Sequence, residues 1–246
     1  MPRKLSKPNN TLRSSSQPPP TSRRRSSSQG PRPNISGGAP LPAWLDDDSQ
    51  PLPQLIVLDL DYTLWPFYSD IHIATPIRAV PSSNHATISD RNGETFALYP
   101  DVPHILHLLP QAGIKLGVAS KSPVGDLCRD VLKHLRLPPA AGPQQPTDGY
   151  ESASKTSRWG SSGKGRKTIE VFEAGLEIYE GTKLRHFEAI SRRTGVPFEE
   201  MLFFDDERPN FEVERLGVTM HLVSNGLTWT ELERGIQKWR AKRSVA

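Results

Sequence analysis

Two pairs of carboxylates in this sequence could act together. Asp59 and Asp61 follow the apolar run Leu55-Ile56-Val57-Leu58, and Asp205 and Asp206 follow Met201-Leu202-Phe203-Phe204. Short, continuous apolar runs suit strands buried on both faces of a parallel sheet, and ligands of such sheets sit just beyond the carboxyl ends of the strands. Two strands of this kind would bring four acids to one spot. Like charges so close are tolerable when a cation neutralises them, and an all-oxygen donor set points to Mg²⁺, a hard ion that binds through one or two carboxylates plus substrate phosphate. Helix caps or solvated turns would account for one pair, but account poorly for two pairs behind two buried runs. The spacing of the first pair adds a second implication: in extended backbone, residues two apart point the same way, so Asp59 and Asp61 could face one reacting group.

The elements that must position these acids alternate. A strand at Leu55–Leu58 is followed by a weakly alternating stretch, 67–98, with a turn signal at Asn92-Gly93 that predicts a β-hairpin. A helix is expected from Asp101 as N-cap to about Ala112, then a strand at 114–119 and a helix from about Pro123 to Leu135. After residues 138–167, rich in Pro, Gly, Ser, Gln and Lys, order resumes at Glu177-Ile178-Tyr179. A helix from about 184 to 194 follows, closed by Gly195, and then the second acid-bearing strand, 201–204. A last strand at 219–223 precedes a helix from about Thr230, with Thr230 and Glu233 as a capping box and Leu232, Ile236 and Trp239 as its apolar stripe. Strands alternating with helices predict an α/β fold, a parallel sheet with helices on both faces.

Length and composition limit the rest. The chain has 246 residues, and no run of about 20 apolar residues offers a membrane span. Residues 1–50, built mostly from Ser, Pro, Arg, Asn and Gly, are expected to be a disordered basic tail before a single domain at 51–246, and 138–167 a low-complexity insertion in it. Of the 31 Lys and Arg, eight fall in residues 1–45, where no acid occurs, leaving 23 against 27 acids in the remainder. A basic tail on an acidic body argues against nucleic acid as the partner of the domain. The chain is expected to be cytoplasmic and monomeric. Arg23-Arg24-Arg25 followed by serines also permits a nuclear address or a kinase site, and a mitochondrial transit role fits less well. One cysteine, Cys128, excludes an intramolecular disulfide framework, and as a phosphatase nucleophile it would need an Arg six positions on, where His134 stands.

Asp59-Leu60-Asp61-Tyr62-Thr63 resembles the first motif of the haloacid dehalogenase superfamily, D-x-D-x-[T/V]. Ser120, Lys183 and Asp205-Asp206 fall where its second, third and fourth motifs would. Asp59 to Pro66, His72, Lys183 and the run from Thr194 to Glu207 are similar to the magnesium-dependent phosphatase-1 group, over about residues 54–235 apart from the insertion. Lys121 departs from that group, which has Arg there; Lys keeps the charge and loses the two-pronged fork. The resemblance implies a Rossmann-like sheet with a minimal hairpin cap at about 67–98. It further implies a Mg²⁺-dependent phosphatase with Asp59 as nucleophile and Asp61 as general acid and base, aided by Thr63. Ser120, Lys121 and Lys183 would hold the phosphate, and Asp59, Asp61 through its backbone carbonyl, Asp205 and Asp206 the metal. Phosphotyrosine-like groups on proteins and sugar phosphates, including fructosamine-phosphate-like ones, come into range as substrates. The competing reading is a non-enzymatic phosphate-binding scaffold that uses the tail and insertion. His72, Trp65 and Phe67 are candidates for shaping the mouth of the pocket.

Overall fold

The computed structural model describes residues 42–47, 49–137 and 165–244. The expected basic tail and the expected insertion therefore lie outside the described residues except at their edges, and those edges are held. Ala43–Asp46 forms a short helix, α1, with Leu45 fully buried. At the other edge, Lys167 bridges Arg136 and the Leu137 amide donates to the Arg166 carbonyl, so residues 136–137 pair with 166–167.

The frame is a five-stranded parallel sheet. Strand β1 (Leu55–Leu58) lies between β5 (Lys115–Ser120) and β7 (Met201–Asp205), with β6 (Leu176–Ile178) and β8 (Thr219–Leu222) outside them. All four residues of β1 are buried because both faces of the sheet are covered. The two-residue period of the strands sorts their side chains into two cores. Ile56, Leu58, Leu116, Val118, Leu202 and Phe204 pack on one face with α3 (Val102–Leu108), α4 (Gly125–His134) and α6 (Trp229–Ser244). Leu55, Val57, Met201 and Phe203 pack on the other with Phe187 and Ile190 of α5 (Lys183–Thr194).

Connectivity decides where a site can form. The chain runs outward from β1 to β5 and β6, then returns to the far side of β1 as β7. The crevice at the carboxyl ends of β1 and β7 is thus a topological switch point.

Between β1 and α3 the chain forms the short helix α2 (Ser69–His72) and a separate antiparallel sheet, β2 (Arg78–Ala79), β3 (Thr87–Ser89) and β4 (Thr95–Ala97). The expected hairpin is the β3–β4 pair, turned at Asn92-Gly93 with Gly93 at φ +86°. The third strand was not expected; β2 is two residues long, too short for alternation to show. The Asp90 carboxylate ties this small sheet together, accepting from the amides of Asn92, Glu94 and Ala74.

Two caps differ from expectation. The helix after Asp101 ends at Leu108, and Asp101 makes no side-chain cap bond to it; its carboxylate instead accepts from the Trp229 amide at the start of α6, 3.1 Å away. That helix starts one residue before Thr230, and the hydroxyl that caps it is Thr228, which accepts from the Glu231 amide at 3.2 Å. Its stripe of Leu232, Ile236 and Trp239 is buried as expected. Among the described residues no helix is long and apolar enough to cross a membrane.

Candidate active site

Register brings the acids together. Leu58 is level with Phe204 on β7 and with Val118 on β5, and the Asp59 amide donates to the Phe204 carbonyl. Asp59 and Asp205 therefore emerge side by side, with Ser120 at the end of β5 on the other flank. Lys183 enters from the first turn of α5, fixed by Thr182, whose hydroxyl accepts from the Arg185 amide.

Lys183 holds the centre. Its Nζ lies 2.7 Å from Asp59 Oδ1, 2.9 Å from Asp205 Oδ2 and 2.6 Å from the Ala119 carbonyl, and the side chain is 1 % exposed. Burial works to neutralise this ammonium, but the two carboxylates outweigh it and raise its pKa. Asp205 has further donors: besides Lys183 it accepts from the Glu207 amide at 2.7 Å and from Asn210 Nδ2 at 2.8 Å on both oxygens. Asn210 Oδ1 in turn accepts from Lys121 Nζ at 2.5 Å. Lys121 is thus tied to the acidic cluster through one amide.

Carboxylate oxygens of Asp59, Asp205 and Asp206 lie within 4.8 Å of one another. Burial, reinforced by Asp205 and opposed by Lys183, pushes Asp59 up to about 7; burial and then Asp205 push Asp206 up to about 6. One ammonium does not balance three clustered carboxylates. The donor set is all oxygen and opens on a pocket that also contains Ser120, Lys121 and Lys183, so the residues present fit a Mg²⁺ ion.

Asp61 is held apart from that cluster. Its Oδ1 accepts from the Trp65 indole at 2.7 Å, and its Oδ2 from the Ser69 amide at 3.2 Å and hydroxyl at 3.1 Å. Burial raises its pKa, and these three neutral donors only partly offset the rise. Trp65 stacks on Phe67 (5.3 Å, 3°), which meets Phe96 of β4 edge to face (4.9 Å, 70°), so an aromatic chain links Asp61 to the small sheet. Behind Ser69, its hydroxyl lies 2.9 Å from that of Ser122, and Cys128 Sγ lies 3.2 Å from Ser69 and 3.4 Å from Ser122. Cys128 is fully buried and burial pushes its thiol pKa up, which suits packing and not nucleophilic attack.

Of the residues singled out from sequence, Asp59, Asp61, Ser120, Lys121, Lys183 and Asp206 line one pocket, and Asp205 lies just beneath it. The metal-competent cluster contains the side chains of Asp59, Asp205 and Asp206 and not that of Asp61. Thr63 is the misplaced one. It is fully buried, its hydroxyl meets no hydrogen-bond partner among the described residues and its carbonyl accepts from the Leu227 amide; the groups that hold Asp61 are Trp65 and Ser69. His72 packs on Tyr68 and accepts from its amide. Sequence reasoning missed Asn210, Ser69 and Ser122. Asn210 stands five residues after Asp205 with no periodic signal, and Ser69 and Ser122 are 53 residues apart in the chain.

Comparison with known proteins identifies the family. Residues 51–242 match the model of the Acid Phosphatase family. The chain is 35 % identical over 189 residues to Magnesium-dependent phosphatase 1 of Homo sapiens, covering 76 % of this chain and 86 % of that one. It is 33 % identical over 168 residues to a HAD-like hydrolase superfamily protein of Schizosaccharomyces pombe, covering 68 % and 83 %. A family model matched across the sheet and its helices, and relatives aligned along most of both lengths, lead to one conclusion: the chain belongs to the acid phosphatase family, within the haloacid dehalogenase superfamily.

Proposed function

We propose that this protein is a Mg²⁺-dependent phosphomonoester hydrolase in which the phosphoryl group passes from substrate to Asp59 and from Asp59 to water. The observation that carries this reading is the division of labour between two acids two residues apart: Asp59 in a carboxylate-rich, metal-competent centre paired with Lys183, and Asp61 among neutral donors.

Asp59, Asp205 and Asp206 would hold Mg²⁺, which when bound screens the entering phosphate from the carboxylates and stabilises charge on the equatorial oxygens. Asp59 attacks phosphorus through a carboxylate oxygen while the ester P–O bond breaks. The departing oxygen takes its proton from Asp61, whose raised pKa suits it to carry one. Ionised Asp61 then takes a proton from water as that water attacks the aspartyl-phosphate. Inorganic phosphate leaves and Asp59 returns as carboxylate. Lys183 compensates the charge on Asp59 throughout, and Ser120 and Lys121 line the space the non-bridging oxygens would occupy. Phosphotyrosine-like and sugar-phosphate esters are the proposed substrate range, supported by the resemblance of the motifs and by a small cap of two- and three-residue strands.

The test is phosphate release from para-nitrophenyl phosphate with Mg²⁺ or with EDTA. Activity should require the metal, and Asp59→Asn should lower it on the order of 10⁴-fold or more with the fold intact by circular dichroism. Metal-independent turnover, or an active Asp59→Asn, would refute the mechanism.

A further inference from the structure

The cleft continues past the phosphoryl centre. The pocket around Asp59, Asp61 and Ser120 has a volume of about 170 Å³. A larger cavity of about 390 Å³ shares Tyr68 and Asp206 with it and is completed by Tyr62, Arg208 and Ser224. Since the smaller pocket contains the nucleophile and Asp61, the larger one is where the rest of a phosphate ester would lie.

Its walls have a defined chemistry. The Tyr62 and Tyr68 rings meet edge to face with centroids 4.7 Å apart at 70°, and His72 stacks on Tyr68 at 9°. Tyr62 is held at φ +52°, in the left-handed region that a bulky side chain ordinarily avoids and that recurs at ligand sites. The neighbouring cations are already engaged: Lys183 by Asp59 and Asp205, Lys121 by Asn210. Arg208 is different. It is exposed at the cavity wall, follows the three acids Asp205, Asp206 and Glu207 in sequence, and pairs with no carboxylate among the described residues.

We propose that this cavity is the leaving-group subsite and that it selects phosphate esters whose ring-sized leaving group carries a second anion. The ring lies against Tyr62 and Tyr68, and a carboxylate or second phosphate pairs with Arg208, whose planar fork suits either group. Ser224 offers a further hydroxyl at the same wall. The inference rests on the phosphatase reading and narrows its substrate class.

The experiment compares matched esters. 4-Carboxyphenyl phosphate is set against 4-carbamoylphenyl phosphate, and a hexose bisphosphate against the corresponding monophosphate, each by kcat/KM in wild type, Arg208→Gln and Arg208→Lys. Comparing ratios between variants cancels intrinsic differences in leaving-group ability, and thermal melting checks that each variant is folded. In wild type the anionic member of at least one pair is favoured, and Arg208→Gln lowers that anionic-to-neutral ratio about tenfold, with Arg208→Lys between the two. The aryl pair reports a carboxylate and the hexose pair a phosphate as the second anion. Ratios that are the same in wild type and Arg208→Gln for both pairs overturn the subsite. Absence of hydrolysis of every ester by Mg²⁺-loaded wild type would instead overturn the phosphatase reading, and the subsite with it.

Discussion

The two walls of the cleft are built on different principles. On the sheet side, Asp59, Lys183, Asp205 and Asn210 form a buried lattice of ion pairs and hydrogen bonds, with Asp205 accepting on both of its oxygens. On the side formed by residues 61–72, one carboxylate is held by an indole, an amide and a hydroxyl, all neutral, and the segment rests on the small sheet through aromatic packing. The first arrangement fixes charge for a metal and a phosphate at the cost of interdependence: removing one member strands the others. The second leaves a carboxylate, the proposed proton carrier, whose environment can be altered piecemeal. Stability and chemistry are therefore coupled on the sheet side and separable on the other.

The largest effect should come from Lys183→Met. It leaves Asp59 and Asp205 buried without their shared cation, a loss of about 3–5 kcal/mol in chemical denaturation above pH 7, together with loss of phosphatase activity. The destabilisation should shrink in acid, where Asp59 can take up a proton. A variant as stable as wild type at neutral pH would show that the lattice is not the support described here.

On the opposite wall, Trp65→Phe keeps an aromatic ring against Phe67 and removes the indole donor, and Ser69→Ala removes the hydroxyl. Both should lower kcat on alkyl phosphates by about tenfold, and much less on para-nitrophenyl phosphate, whose leaving group departs without protonation. An equal loss on both substrate classes would assign these residues to structure and not to the placement of Asp61.

The smallest effect concerns protons on the sheet side. Asp59 at about 7 and Asp206 at about 6 both lie above their ordinary value of 3.8. The metal-free folded state therefore binds more protons than the unfolded chain across that window, and its stability falls as pH rises through it. Mg²⁺ binds the ionised carboxylates, so its stabilising effect should grow over the same range. The rise in Tm on adding Mg²⁺ should be larger at about pH 7.5 than at about pH 5.5, and an increment independent of pH would contradict the clustering of these carboxylates.

Much of the frame was legible because burial on both faces leaves a direct trace. Leu55–Leu58 and Met201–Phe204 read as strands from apolar continuity alone, and the acids after them marked the carboxyl ends of β1 and β7. Gly195 was equally plain as a helix stop, and it occupies the left-handed region at φ +68°. The caps were harder. Asp101 and Thr228 are both ordinary capping residues, and which helix each one serves depends on the packing of α6 beside the start of α3, 128 residues away.

The sequence by itself determined the identities that chemistry requires: two acids spaced for one face of a strand, two more after a second buried strand, a lysine at a helix start. Local pattern could go no further, because periodicity reports which way a side chain points and says nothing about its partner. That Asn210 joins Lys121 to Asp205, that Trp65 and Ser69 and not Thr63 hold Asp61, and that Arg208 stands beside two tyrosines were decided by strand register and by the return of the chain to the far side of β1. Those contacts join residues from separate elements, and only the closed tertiary structure brings them within reach.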